Sequence, residues 1–186
     1  ISRNNKITHS LVLEALENDE VIVLPTDTIY GFSGKISTTK EKILKIKGRR
    51  EEKPFIVLIE KPEDYLLFSN FPIPKALLDL WPASLTIIFP MKDSCETIAL
   101  RCPGDPWLRN IIKDIGSPLF STSCNRSGIP ALTSIDAIEK EFSKEVRLFI
   151  ESDLNMSNLA STILALDGEK PRILRQGSLI IPIDLL

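Results

Sequence analysis

Short apolar runs rich in β-branched residues alternate along this chain with stretches in which apolar residues recur at helical spacing. Such runs, bounded by turn residues, indicate buried strands, and the helical spacing indicates amphipathic helices. The predicted strands are 20–24, 55–59, 84–89, 97–101, 118–123, 146–150, 162–166 and 172–174. The predicted helices are 8–18, 39–47, 62–68, 74–80, 105–116 and 134–142. Because the alternation continues without a break in composition, we expect one α/β domain over residues 1–186, with a mixed, largely buried sheet.

Charge and composition exclude several other classes of protein. The chain is 43% hydrophobic and 26% charged, as is ordinary for a globular protein, and 23 basic residues nearly balance 25 acidic ones. This balance disfavours a broad nucleic-acid-binding face but permits a local basic cleft. No apolar run approaches the roughly 20 residues that span a bilayer, and the first residues lack a signal-peptide pattern. We therefore expect no membrane association and a cytoplasmic location.

The cysteines and the single histidine argue against a protein metal site. Cys95, Cys102 and Cys124 form no C-x-x-C pair, and His9 is the only histidine. A zinc site needs about four suitably spaced ligands, so we expect no metal-ligating residues and free, mostly buried thiols. A Ser-His-Asp triad is also disfavoured, because His9 falls on a predicted helix near the chain start.

Polar segments follow several of the predicted strands. Residues 24–31 carry hydroxyls and a carboxylate, 47–54 carry several cations, and 119–128 carry hydroxyls, an amide and a glycine, while Arg101 and Arg175 end two other strands. Ligands gather at strand ends in open α/β sheets, and arginine binds carboxylate or phosphate through two donors. Taken singly, these segments also suit a capped turn, a solvated charged loop, a polar turn and surface ion pairs. Together they predict a site for an anion-rich ligand without naming it.

Eight short segments, in order, carry a family resemblance. They are PTDTIYG at 25–31, KGR at 47–49, KPFIV at 53–57, WPASLT at 81–86, ALRCP at 99–103, STSCNRSG at 121–128, STI at 161–163 and ILRQG at 173–177. In order and spacing they resemble the YrdC-type threonylcarbamoyl-AMP synthases over nearly the whole chain. The resemblance implies a twisted mixed sheet with flanking helices around a positively lined cavity. It implies an enzyme that condenses L-threonine, bicarbonate and ATP to L-threonylcarbamoyl-AMP and pyrophosphate, for the modification of adenosine beside the tRNA anticodon.

The same resemblance assigns roles to individual residues. The catalytic group would be Lys47, Arg49, Ser123 and Asn125. The threonine-binding residues would be Thr28, Arg101 and Ser161. The nucleotide-binding residues would be Arg49, Lys53, Thr97, Ser121, Ser123 and Arg175. A magnesium ion would arrive with ATP, bound chiefly by phosphate oxygens. Partner proteins of the tRNA modification would use the product, and weak RNA binding is a further expectation.

The chain departs from the family pattern at a few positions. Leu58 stands where many members place a histidine near the amine of threonine, and Ala160 replaces a common proline. The pair 83–84 replaces Gly-Pro, and Arg126 stands at a position that is often apolar or proline. The main alternative is a paralogue of the same fold that binds RNA without synthase activity. Two others are a carbamoyl-transfer domain of hydrogenase maturation and a non-enzymatic binder of double-stranded RNA.

Overall fold

The computed structural model describes residues 1–48, 54–152, 156, 159–168 and 170–186. In these ranges the strands are β1 Ile22–Leu24, β2 Gly31–Lys35, β3 Ile56–Leu58, β4 Leu85–Pro90, β5 Thr97–Arg101, β6 Leu119–Ser123, β7 Thr162–Ala165 and β8 Arg172–Arg175. The α-helices are α1 Thr8–Glu17, α2 Lys40–Lys47, α3 Lys75–Leu78, α4 Pro106–Ile115 and α5 Ile135–Phe142. Two 3-10 helices lie at Pro62–Leu67 and Ile183–Leu185.

The eight strands of the described ranges form one mixed sheet in the order β1-β2-β6-β3-β5-β4-β7-β8. The pairs β3–β5 and β4–β7 are parallel, and the other neighbours are antiparallel. The α/β class and the mixed sheet predicted from the sequence are therefore confirmed. The extent of the domain, 1–186, stays a prediction.

Strand β2 was not predicted from the sequence. Its five residues, GFSGK, include two glycines and no continuous apolar run. The glycines are needed because neighbours approach closely: a Cβ at Gly31 would lie 2.8 Å from the Ser121 hydroxyl, and one at Gly34 would lie 2.6 Å from that of Thr39. Gly31 and the rest of β2 are held between β1 and β6, so tertiary pairing decides this strand rather than residue propensity.

The predicted strand 146–150 is wrong, because the segment pairs with the sheet at one residue. Phe149 forms an isolated bridge with Val23, and Ile150 N donates to Val23 O at 3.0 Å. The apolar character of the segment has another cause, since Val146, Phe149 and Ile150 are all buried in the core. The predicted helix 62–68 is also different, being a 3-10 helix over Pro62–Leu67.

The ends of three helices show how local chemistry sets their limits. The Asp105 carboxylate accepts from Trp107 N at 3.0 Å and caps α4, and the glycine at 116 ends this helix in the left-handed conformation. Gly48 ends α2 in the same way. The sequence predicts that Thr8 caps the first helix, and this is wrong, because Thr8 is the first residue of α1 and its hydroxyl donates to Ser2 O at 2.7 Å.

The two faces of the sheet bury different helices. Val23 packs in a cluster with residues of α2 and α5, whereas the adjacent Leu24 packs in a cluster with residues of α1 and α4. Since neighbouring side chains of a strand point to opposite faces, the two helix pairs cover opposite faces. On the face of α1 and α4, strands β5 and β6 also present Arg101, Ser121 and Ser123, and this places polar groups beside a helical layer. None of the helices in the described ranges has the length and apolar character that crossing a membrane requires.

Candidate functional site

A cavity of about 250 Å³ lies on the face of the sheet that carries these polar groups. Its walls come from β3, β5, β6, β7 and β8 and from the loop between β1 and β2. Six residues predicted from the sequence line it: Thr28, Arg101, Ser121, Ser123, Ser161 and Arg175. These six come from five separate parts of the chain, so the fold brings together the residues predicted for threonine and half of those predicted for the nucleotide.

The loop between β1 and β2 is shaped by one hydroxyl. Thr26 Oγ1 accepts from the backbone N–H groups of Thr28 at 3.1 Å and Ile29 at 3.2 Å, and it donates to Ile29 O at 2.7 Å. A threonine hydroxyl that bonds the backbone two and three residues on is a standard way of forming a turn. The capped turn and the ligand site, alternatives in the sequence, therefore coexist in this loop.

Arg101 is fixed by that loop. The side chain is buried, with 4% of its surface exposed, at the end of β5. Its Nη1 donates to Thr28 Oγ1 at 2.9 Å, its Nη2 pairs with the Asp27 carboxylate, and the second Asp27 oxygen accepts from Gly104 N at 3.2 Å. A buried guanidinium needs such partners to offset its loss of hydration. Asp27 and Thr28 thus set the direction in which Arg101 faces the cavity.

Ser161 and Arg175 form a second polar group at the cavity wall. The Ser161 hydroxyl is buried and lies 2.8 Å from Thr86 Oγ1. Arg175 donates through Nε to Ser161 O at 2.9 Å and through Nη2 to Ser161 Oγ at 3.2 Å. Arg175, the last residue of β8, is therefore bonded to Ser161, the residue that precedes β7.

The two arginines give the cavity a positive character. Partial burial of its guanidinium, with a smaller contribution from the charge of Arg101, lowers the pKa of Arg175 from its ordinary value. Within the described residues, Arg175 has no carboxylate partner, whereas Arg101 is paired with Asp27. An anion bound next to Arg175 would stabilise its charged form. The electrostatics of the cavity therefore suit a carboxylate or phosphate.

Lys47 joins the end of α2 to the loop after β6. Its side chain is almost fully buried, and its amino group donates to Ser123 O at 2.6 Å, Asn125 O at 3.1 Å and Asn125 Oδ1 at 3.0 Å. The Ser123 hydroxyl donates to Asn125 Oδ1 at 2.6 Å. Three of the four predicted catalytic residues thus form one hydrogen-bonded group, and Ser123 is the member that lines the cavity. The fourth, Arg49, lies outside the described residues.

The remaining predicted residues lie elsewhere. Lys53 is outside the described residues. Thr97 lines a neighbouring cavity of about 610 Å³, which shares Pro54 and Phe55 with the site cavity. Leu58 is 1% exposed and packs in the core cluster that includes residues of α1 and α4. Their roles, like those of the other site residues, stay predictions.

Sequence reasoning missed two residues that hold the candidate site. Asp27 positions Arg101, and Thr86 bonds Ser161 from inside the apolar strand β4. A polar residue at a fully buried position of an apolar strand needs a partner, and this was the available signal for Thr86. Asp27 lies within the PTDTIYG segment, but nothing there indicates that its partner is 74 residues away.

The fold and the site can be set beside known proteins. The Sua5/YciO/YrdC family model, described as "Telomere recombination", matches residues 14–177. The chain belongs to this family. A Bacillus subtilis member, named threonylcarbamoyl-AMP synthase, is 28% identical over 88% of the chain and 51% of its own length. A Methanocaldococcus jannaschii member, named putative threonylcarbamoyl-AMP synthase, is 30% identical over 98% of the chain and 92% of its own length.

Solved structures of the Sua5/YciO/YrdC family share the fold. P. abyssi Sua5, in a complex with L-threonine, superposes with a TM-score of 0.83 at 24% identity, over 92% of this chain and 54% of that one. E. coli YciO gives a TM-score of 0.79 at 22% identity, over 92% and 91% of the two chains. The chain therefore spans about half the length of P. abyssi Sua5 and of the B. subtilis relative, and nearly the full length of YciO.

Proposed function

We propose that this protein is an L-threonylcarbamoyladenylate synthase. It would condense L-threonine, bicarbonate and ATP to L-threonylcarbamoyl-AMP and pyrophosphate. The observation that carries the proposal is that Arg101, Thr28, Ser161, Ser123 and Arg175 all line the same cavity. Relatives that bear the name threonylcarbamoyl-AMP synthase support the same reaction.

Threonine would bind at the end of the cavity formed by β5 and β7. Arg101 is the cation there whose orientation is fixed by Thr28 and Asp27, so it suits the carboxylate of the amino acid. The hydroxyls of Thr28 and Ser161 supply donors and acceptors for the polar groups of threonine. The complex of P. abyssi Sua5 with L-threonine supports an amino-acid ligand on this fold.

Adenylation would follow at the end of the cavity near β6. The threonine amine first attacks the carbon of carbon dioxide and loses a proton, or that of bicarbonate with loss of water, and becomes N-carboxy-threonine. An oxygen of this carboxylate attacks the α-phosphorus of ATP, the bond from that phosphorus to the bridging oxygen breaks, and pyrophosphate leaves. Lys47 and Arg49 would neutralise the charge that develops on the phosphates, Ser123 and Asn125 would orient the nucleotide, and Arg175 would contact it. Positioning of the substrates, with no covalent enzyme intermediate, would account for most of the rate.

Magnesium would accompany ATP. Within the described part of the chain, no group of three or more His, Cys, Asp or Glu residues is arranged to hold a metal ion. Asp27, the carboxylate next to the cavity, is already bound by Arg101 and Gly104 N. This donor set fits an ion held chiefly by the phosphate oxygens, whose negative charge it would offset.

The product has a reactive mixed anhydride between a carbamate and a phosphate. We therefore place its use with partner proteins that transfer the threonylcarbamoyl group to adenosine beside the tRNA anticodon, in the cytoplasm. Direct RNA contact by this chain would be weak, since the chain has a net charge of −2.

The proposal is tested by the release of pyrophosphate from Mg-ATP. The reaction is run with and without bicarbonate and L-threonine, and with L-serine as a control. The proposed function requires release that depends on both threonine and bicarbonate. A folded protein that binds ATP but releases no pyrophosphate under these conditions would support the paralogue that binds RNA without synthase activity.

A further inference from the structure

The loop after β6 is attached to the end of α2 on two sides. On one side, the Lys47 amino group donates to Asn125 O at 3.1 Å. Next to it, Ser127 N donates to Lys47 O at 2.8 Å. On the other side, Arg126 Nη1 donates to Ile46 O at 2.5 Å. Three consecutive residues of the loop, 125–127, are therefore bonded to two consecutive residues of the helix, through the side chain of Lys47, the side chain of Arg126 and one backbone bond.

Each of the three nitrogens of the Arg126 guanidinium donates a hydrogen bond. Its Nε donates to Glu141 Oε1 at 3.0 Å, and its Nη2 donates to Glu145 Oε1 at 2.8 Å. The group also lies over the Phe142 ring, 4.6 Å from the ring centre. The two carboxylates raise the pKa of Arg126 above its ordinary value, with Glu145 contributing most. Because the guanidinium is a rigid planar fork, these partners fix its orientation as well as its place.

The residues that contact the Arg126 guanidinium do not line the site cavity. Glu141 and Phe142 belong to α5, and Glu145 follows that helix, so Arg126 ties the loop to α5 and α2. Arg126 is not among the residues that line the site cavity. Its neighbour Asn125, in contrast, belongs to the predicted catalytic group. The residue is thus placed to act on the site through the backbone of the loop.

We propose that Arg126, held by Glu141 and Glu145, is a positioning residue for adenylation: it fixes the loop so that Ser123 and Asn125 keep their geometry relative to Lys47. This inference rests on the proposed function. Partly exposed ion pairs contribute little stability one by one, but a network that shares one arginine can hold a geometry. Loss of the network leaves the Lys47 contacts in place, so the loop stays attached but with more freedom.

Loss of Arg126 is expected to change the rate of adenylation without changing the binding of threonine. A misplacement of about 1 Å at a reacting group can lower a rate by about a hundredfold. The residues predicted for threonine, Thr28, Arg101 and Ser161, come from other parts of the chain and do not contact Arg126. Removal of Arg126 should therefore lower kcat while the KM for threonine stays unchanged.

The test compares Arg126→Met and Arg126→Lys with the control Arg172→Met. Methionine keeps apolar contact with Phe142 but removes every hydrogen bond of the guanidinium. Arg172 is a matched control because it also makes an exposed ion pair, at 2.8 Å to Asp167. The measurements are kcat, the KM values for threonine and ATP, the melting temperature, and amide hydrogen exchange over residues 124–132.

We expect Arg126→Met to lower kcat by about tenfold or more, with a threonine KM within about twofold of that of the unsubstituted protein. Its loop amides should exchange faster, Arg126→Lys should recover part of the rate, and Arg172→Met should match the unsubstituted protein. An unchanged kcat in Arg126→Met would overturn the proposal. So would a joint change of kcat, threonine KM and melting temperature, which would indicate general loss of structure.

A second variant and a second measurement test the positioning role if the first comparison fails. If Arg126→Met does not fold, the double variant Glu141→Gln/Glu145→Gln keeps the arginine, weakens its attachment and is judged by the same criteria. If the unsubstituted protein shows no threonine-dependent pyrophosphate release, the proposed function fails, and hydrogen exchange alone decides the positioning. Faster loop exchange in Arg126→Met but not in Arg172→Met would support it, and equal exchange would refute it.

Discussion

Gly177 allows the segment after β8 to lie directly against the residues that precede β7. A Cβ at this position would lie 2.5 Å from the carbonyl carbon of Ser161, and closer still to Ala160 O and Thr162 N. All three are backbone atoms, which cannot rotate away as a side chain could. The N–H of Gly177 donates to Thr162 Oγ1 at 2.9 Å, so the two segments are also joined by a hydrogen bond. Gly177→Ala must therefore push the backbone of one segment away from the other.

The size of the effect follows from these distances. To restore ordinary contact, the segments must separate by about 1 Å, a displacement that can lower a rate by about a hundredfold when it reaches a reacting group. Overpacking of this kind costs about 1–3 kcal/mol of stability, which lowers the melting temperature of a chain of this size by about 2–12 °C. Since Arg175 holds Ser161 through two hydrogen bonds, the movement alters the cavity wall as well.

The assay is threonine-dependent pyrophosphate release together with thermal unfolding. Gly168→Ala is the matched control, because a Cβ at Gly168 would have no atom within 4 Å and this glycine lies in the turn between the same two strands. We expect Gly177→Ala to lower the kcat/KM for threonine by up to about a hundredfold and to lower the melting temperature, and Gly168→Ala to change neither. Wild-type values of both quantities in Gly177→Ala would refute the argument from close contact.

Three more predictions concern single side chains. Arg101→Lys should raise the KM for threonine by about ten- to a hundredfold, since a single ammonium cannot replace the two hydrogen bonds that a guanidinium donates to a carboxylate. The KM for ATP is the internal control. An unchanged KM for threonine would show that Arg101 does not bind its carboxylate. Asp105→Ala should lower the free energy of unfolding in urea by about 3–5 kcal/mol, because it removes the cap of α4 and also leaves the largely buried guanidinium of Arg3 without the two Asp105 oxygens that it binds at 2.8 and 3.0 Å. Ser134→Ala, whose side chain makes no capping bond, should lower it far less, and equal losses would contradict this explanation. At pH 8, iodoacetamide should label the exposed Cys95 and should not label Cys102 until the protein is unfolded, because burial raises the pKa of the Cys102 thiol to about 12. Labelling is measured by mass spectrometry. Modification of Cys102 in the folded protein would disprove this protection.

The sequence predicts those parts of the fold in which local pattern and tertiary environment agree. The strand over Thr97–Arg101 has the predicted limits because its three central residues, 98–100, are apolar and buried. Strand β2 escapes prediction because its glycines satisfy a requirement for close approach by Ser121 and Thr39, which is set by distant parts of the chain. The segment 146–150 shows the reverse case, since an apolar run reports burial and does not by itself report pairing.

In the candidate site, too, local motifs could be recognised from the sequence, whereas contacts between distant residues could not. Short motifs supply the candidate residues, and the structure shows that Lys47, Ser123 and Asn125 are hydrogen-bonded to one another, while their roles stay predictions. The supporting contacts of Asp27 and Arg126 join residues far apart in the sequence. No local pattern encodes such contacts, so they become visible only when the fold is known.

The central claim is that threonine, bicarbonate and ATP are joined on this chain. The most direct measurement is mass spectrometry of the product formed from Mg-ATP, ¹³C-bicarbonate and ¹⁵N-threonine. The account predicts an adduct of AMP that carries both labels, together with an equal amount of pyrophosphate. Cleavage of ATP without a doubly labelled adduct, by protein that is folded and binds ATP, would contradict it.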